Sequence, residues 1–150
     1  MKTKNGNYYE CSVRYDKLGE HGVLKKVGET YCIEADNFAE AERRTYDELV
    51  SYCEGEFEIK NITPAKYADV FINEDAGSES KYFKAKLEFV TVDEMTLKEK
   101  KTTVYYLVLA SDFADSLRII QEAMASSMVD YVTAQITESK VLELFGKDED

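Results

Sequence analysis

The sequence predicts an α+β protein made by tandem duplication of a β-β-α-β unit. Three observations lead there: residues 8–71 recur as residues 82–145, each copy opens on alternating apolar and polar positions, and each carries one capped amphipathic helix. Ile62-Thr63, Lys66 and Phe71 meet Ile136-Thr137, Lys140 and Phe145 at an offset of 74. Lys25-Lys26, Tyr31, Ala35, Phe38-Ala39 and Arg43 meet Lys100-Lys101, Tyr106, Ala110, Phe113-Ala114 and Arg118 at 75. One residue gained in the second hairpin loop and one lost after the helix reconcile the two offsets.

The elements follow in order. Tyr9, Cys11, Val13 and Tyr15 alternate with polar residues, as do Phe83, Ala85, Leu87 and Phe89, the period of a strand with one buried face. Turns at Lys17 to Gly22 and Asp93 to Thr96 lead into return strands, Val23 to Ala35 and Leu97 to Ala110, with a bulge expected at Gly28. Asn37 three residues before Glu40, and Asp112 three before Asp115, are helix start signals. Phe38, Ala41, Thr45, Leu49 and Tyr52 then form one helical stripe, and Phe113, Leu117, Ile120, Met124 and Met128 the other. Third strands are expected over Glu56 to Ile62 and Asp130 to Ile136. Thr63-Pro64 and Thr137-Glu138 then read as the starts of short terminal helical turns.

With 150 residues, two halves of this size are each marginal alone, so the expected outcome is one compact body with a pseudo-twofold and one main helix per repeat packed on antiparallel sheet. Residues 1–72 make the first repeat, 73–81 a flexible linker, 82–145 the second repeat, and 146–150 a charged, frayed tail.

A formal charge of −11 disfavours non-specific attraction to nucleic acid or anionic lipid unless the basic residues are segregated on one face. Cys11, Cys32 and Cys53 form no CxxC pair, and Cys11 and Cys32 align with Ala85 and Leu107, so they read as reduced core residues. No run is long enough to span a bilayer, and no apolar segment follows Met1 to Gly6. The expected location is cytoplasmic, away from membranes.

No catalytic set emerges. His21 is the only histidine and lies in a turn, and the motifs for nucleophiles, phosphate loops, dinucleotide loops and zinc are absent. Asn73, Asp75 and Glu79 depart from the calcium-loop pattern, so no metal and no cofactor is implied. The candidate ligand-binding residues are the duplicated lysine pairs Lys25, Lys26, Lys100 and Lys101, with Lys98 beside them and Tyr31 and Tyr106 as flat faces; Tyr8, Tyr9 and Tyr105 supply further rings nearby in sequence. Cations interleaved with aromatic rings suit single-stranded nucleic acid or a nucleotide. The competing account is that such lysines blunt sheet edges and such tyrosines pack.

Tyr8 to Cys11 with Val13 to Lys17, Lys25 to Val27, Ala39 to Glu42, Lys98 to Thr102, Ala110 to Phe113 and Asp130 to Val132, in this order, carry a resemblance over nearly the whole chain. On these segments the protein resembles an uncharacterised family of small proteins from Bacteroidota and their phages, one of the domains of unknown function. The resemblance implies no activity, ligand or catalytic residue; it suggests a cytoplasmic bacterial or phage-encoded setting. The functional expectation is a non-enzymatic binding or regulatory protein that engages nucleic acid, a nucleotide or a protein partner through its hairpin face, with homo-oligomerisation through sheet edges. The alternatives are an acidic inhibitor that mimics nucleic acid, and an enzyme with a carboxylate and lysine site between the repeats.

Overall fold

The computed structural model describes residues 2–4, 7–51, 53, 56–75 and 77–147. The strands are β1 (Lys2–Lys4), β2 (Tyr8–Leu18), β3 (Leu24–Glu34), β4 (Phe57–Ala65), β5 (Tyr67–Ile72), β6 (Lys81–Val92), β7 (Glu99–Ala110), β8 (Asp130–Glu138) and β9 (Val141–Phe145). The helices are α1 (Phe38–Leu49) and α2 (Phe113–Ala123). They form two sheets, ordered β4-β2-β3-β9 and β1-β5-β7-β6-β8, in an α+β protein with predominantly antiparallel pairing. The chain divides into two compact units. One holds β2, β3, α1, β4 and β9; the other holds β1, β5, β6, β7, α2 and β8.

In the β2–β4 unit the alternation of β2 puts Cys11 and Val13 beneath α1, with Tyr31 and Ile33 of β3 beside them. Ala41, Leu49 and Ile62 complete that core. In the β6–β8 unit Phe83, Ala85 and Leu87 alternate in the same way and pack with Val108, Ile119 and Ile120. Each helix is started by a reciprocal cap. Asn37 accepts from the Glu40 N–H at 2.8 Å while Glu40 accepts from the Asp36 N–H at 3.2 Å; Asp112 accepts from the Asp115 N–H at 2.8 Å while Asp115 accepts from the Ser111 N–H at 2.9 Å.

Several local expectations need correction. The predicted bulge at Gly28 is absent: Gly28 pairs with Arg14 in an unbroken ladder, and a Cβ added there would meet Val13 O at an ordinary 3.9 Å. The irregularity lies on the other side of β2, between Ser12 and Val13 against β4, and recurs between Lys86 and Leu87 against β8. The second helix buries Ser116, Ile119 and Ile120, while Phe113 and Leu117 are exposed and Met128 lies beyond its end; Tyr52, expected on the first stripe, is outside the described residues. The stripe is rotated because Ser116, though polar, is small and satisfied by donating to Phe113 O at 2.7 Å.

The expected terminal helical turns are strands. β4 runs on through Pro64, whose missing N–H is tolerated because β4 is an outer strand, and β5 follows after the single residue Lys66. Tyr67, Val70 and Phe71 are buried, a demand that a solvated helical turn does not meet. β5 lies parallel to β7, and β9, reached through Ser139 and Lys140, lies parallel to β3. Each hairpin is therefore completed by a strand that follows the other hairpin in sequence.

The arriving strands are held in matching ways. Phe145 packs on Tyr31 with ring centroids 5.7 Å apart, and Phe71 stacks on Tyr106 at 5.1 Å. Beyond β9, Lys147 bridges Asp36 at 2.6 Å and Glu40 at 2.9 Å, and Arg44 donates to Gly146 O at 3.0 Å, so the expected frayed tail is anchored as far as Lys147. Beyond β5, Asn73 donates to Asp115 at 3.1 Å, so the expected linker begins as a tether to a helix cap. No described helix is long and apolar enough to cross a membrane.

Replacing Phe83, which is 1% exposed, by Ala should cost about 3–5 kcal/mol in urea unfolding followed by circular dichroism. Asn37→Ala should cost about 1 kcal/mol through the lost cap.

Candidate functional site

Register in the two hairpins decides which face each candidate residue occupies. Cys11 opposite Tyr31 points to α1, and with no irregularity in this ladder Tyr15 and Lys17 follow on that side, Lys17 opposite Lys25. Lys26, opposite Asp16, lies on the helix-free face. By the same count Lys100, opposite Thr91, is on the side of α2, while Lys101, opposite Val90, is on the helix-free face. Lys98 sits in the turn, where its carbonyl accepts from Asp93 N–H at 2.9 Å. All five lysines are exposed.

The two tyrosines take no part in that surface. Tyr31 is 3% exposed and Tyr106 is 9% exposed; both rings lie in their cores against the arriving phenylalanines. Burial, followed by the charge of Asp69, raises the Tyr106 phenol above its ordinary value.

The helix-free face of β6 and β7 carries a group that the lysine pairs did not reveal. Lys84 and Lys86 stand on β6, and Lys86 is directly opposite Tyr105 of β7. The Lys84 ammonium lies 4.6 Å from the centroid of the Tyr105 ring. With Lys101, three cations and one half-exposed ring share a face whose nearest acid on β6 is Glu88. The signal was present in the sequence: alternation that buries Phe83, Ala85 and Leu87 must turn Lys84 and Lys86 outward. The corresponding face of β2 and β3 is mixed, with Glu10, Arg14, Asp16 and Lys26. Arg14, Asp16 and Lys26 also line a shallow pocket of about 200 Å³ with Glu58 and Phe57.

On the helix side of the β2–β3 hairpin a second polar group appears. Glu29 accepts hydrogen bonds from the hydroxyls of Tyr15 and Tyr31, the latter at 3.1 Å. Burial first, and then the bond and charge of Glu29, push Tyr15 up to about 12 and raise Tyr31 as well. Burial and the same carboxylate raise the Cys53 thiol. The cysteines are buried free thiols. Such a cluster holds its protons and offers no activated nucleophile. His21 is exposed in a 3-10 turn with φ 65°. Among the described residues no group of three or more His, Cys, Asp and Glu is placed to hold a metal ion.

A family model described as a domain of unknown function, DUF4494, matches residues 7–147. No curated protein and no solved structure matches the chain.

An unfolded tyrosine ionises near about 10, so below that pH the protonated phenols of the fold contribute their full stability. That contribution should fall as pH rises through about 12. Phenolate absorbance should show Tyr15, Tyr31 and Tyr106 ionising late, and Glu29→Gln should bring Tyr15 down; an unchanged titration would remove Glu29 from the cluster.

Proposed function

The chain belongs to the DUF4494 family, and from that premise we propose that it is a non-enzymatic binding protein that engages single-stranded nucleic acid through the helix-free face of β6 and β7. The supporting observation is the Lys84–Tyr105 pair, 4.6 Å from ammonium to ring centroid, with Lys86 and Lys101 on the same face. Cations alternate there with a ring able to lie against a base, on a protein whose net charge of −11 repels polyanions elsewhere. Segregation of this kind is what the overall charge requires of any polyanion site. Of the candidate lysines, Lys101 belongs to this face, and Lys26 to the weaker, mixed face of the other hairpin.

Tandem duplication is the proposed origin of the architecture. It is supported by the recurring offset of about 74, by the shared bulge position and by the two matching ring pairs, Tyr31–Phe145 and Tyr106–Phe71. The proposed setting is the cytoplasm of a bacterium of the Bacteroidota, with a phage origin among the sources suggested by the sequence. Buried free thiols accord with a reducing compartment.

Fluorescence anisotropy with a labelled single-stranded oligonucleotide tests the reading. Three phosphate contacts predict a slope of about −2 in log affinity against log salt. Lys84→Glu with Lys101→Glu should abolish binding while leaving the circular dichroism unchanged. Binding that survives this double reversal would remove the face from consideration, and retention by basic proteins with no affinity for nucleic acid would favour the acidic inhibitor.

A further inference from the structure

β4 and β8 hold the same place in their sheets, each outermost beside the first strand of a hairpin, yet their edges differ in chemistry. β4 is guarded. It carries Glu58 and Lys60, ion-paired at 3.3 Å, and Pro64, which has no N–H to offer a new strand. At the offset of 74 these positions are Val132, Ala134 and Glu138, so between Asp130 and Glu138 the strand β8 holds neither charge nor proline. Each strand has one extra residue at its bulge: Lys60 in β4, Ala134 in β8.

The flanks of the strand changed in the same direction. In α1, Tyr46 lays its ring on Phe57 of β4 at 5.3 Å, whereas the counterpart of Tyr46 in α2 is Gln121. One turn earlier on that helical face, Glu42 is replaced by Leu117, which is 37% exposed. On the opposite side of the sheet Val132 is 54% exposed. Carboxylates that would repel an approaching strand have become apolar surface on both sides of the edge.

We infer that β8 is an association edge and that its occupant is a second copy of this chain, added antiparallel, β8 to β8, about a twofold axis. Antiparallel self-pairing is isologous, so one strand supplies both sides of the interface. It also sets the acidic start of each strand, Asp130, beside the basic residue that follows the other, Lys140. Both are exposed and neither has an ion pair among the described residues. Glu138, the remaining charge at this edge, is answered within its own chain by Lys81 at 3.4 Å.

This inference takes its comparison of β4 with β8 from the proposed duplication but uses a different surface from the nucleic-acid face, and salt separates the two. Two copies of charge −11 repel, so screening strengthens self-association, whereas it weakens a hold on polyanions. Sedimentation equilibrium of the full chain should show a concentration-dependent dimer that strengthens as salt rises. Val132→Glu with Ala134→Lys, which puts the β4 residues into β8, should weaken the dimer by about tenfold or more. If that variant loses its circular dichroism, Leu117→Glu on the helix surface should give the same weakening. A chain that stays monomeric at every salt and concentration, a dimer indifferent to these substitutions, or a monomer that instead takes an extended foreign peptide along β8 would overturn the inference.

Discussion

The fold depends on two short strands that each pair with a hairpin other than the one they follow in sequence. β9 pairs with β3, Thr30 beside Val141, and β5 pairs with β7, Phe71 beside Val108. A parallel neighbour cannot be reached by a tight turn, so the chain crosses over instead of folding back. Closing a loop of such length costs little more than closing one half as long, because the entropy grows only with the logarithm of length. What the strand needs is an anchor at arrival. Phe145 on Tyr31 supplies the apolar part, and Lys147 between Asp36 and Glu40 the polar part.

That anchor explains the double use of the helix caps. Glu40 and Asp115 each receive a backbone N–H from the residue before the cap, and each has acceptor capacity left. Lys147 meets Glu40, and Asn73 meets Asp115, at corresponding places after β9 and β5. Asp115 is lowered to about 2, first by the Ser111 N–H and further by Arg118 and Asn73, so it stays ionised through ordinary pH. One carboxylate thus starts a helix and ties down the chain arriving beside it. This coupling makes the short final strands part of the core instead of appendages.

Much of this was legible in the sequence, and the misses share a cause. Period-two alternation placed Cys11, Val13, Phe83, Ala85 and Leu87 inside, and the Asn37 and Asp112 signals opened both helices where they open. Thr63-Pro64, by contrast, is a helix start by local rule and a strand in the fold, because the burial of Tyr67, Val70 and Phe71 overrides a capping preference of about 1 kcal/mol. Tyr31 and Tyr106 looked like free platforms because nothing local announced that Phe145 and Phe71 would arrive to cover them. Lys84 and Lys86 were readable from alternation alone, whereas the candidate set followed the lysine pairs that recur at the offset.

Under the proposed duplication, residues that recur and residues that differ answer different questions. Residues that recur at the offset, such as Tyr31 with Tyr106 and Phe71 with Phe145, are those on which both cores close, and their recurrence follows from packing alone. A specific surface has the opposite signature, since an identical face on both hairpins would divide any ligand between them. The helix-free faces differ in this way: Glu10 and Ser12 on β2 correspond to Lys84 and Lys86 on β6, and Thr30 to Tyr105. At two of these positions the second hairpin is the more positive and at one it carries an aromatic ring, on a chain whose total charge runs the other way. That face also buries Leu107 and Val70, while Lys84 stands exposed on it opposite Leu107. Under the proposed reading, attraction to an anion would act on the hairpin where the three differences coincide.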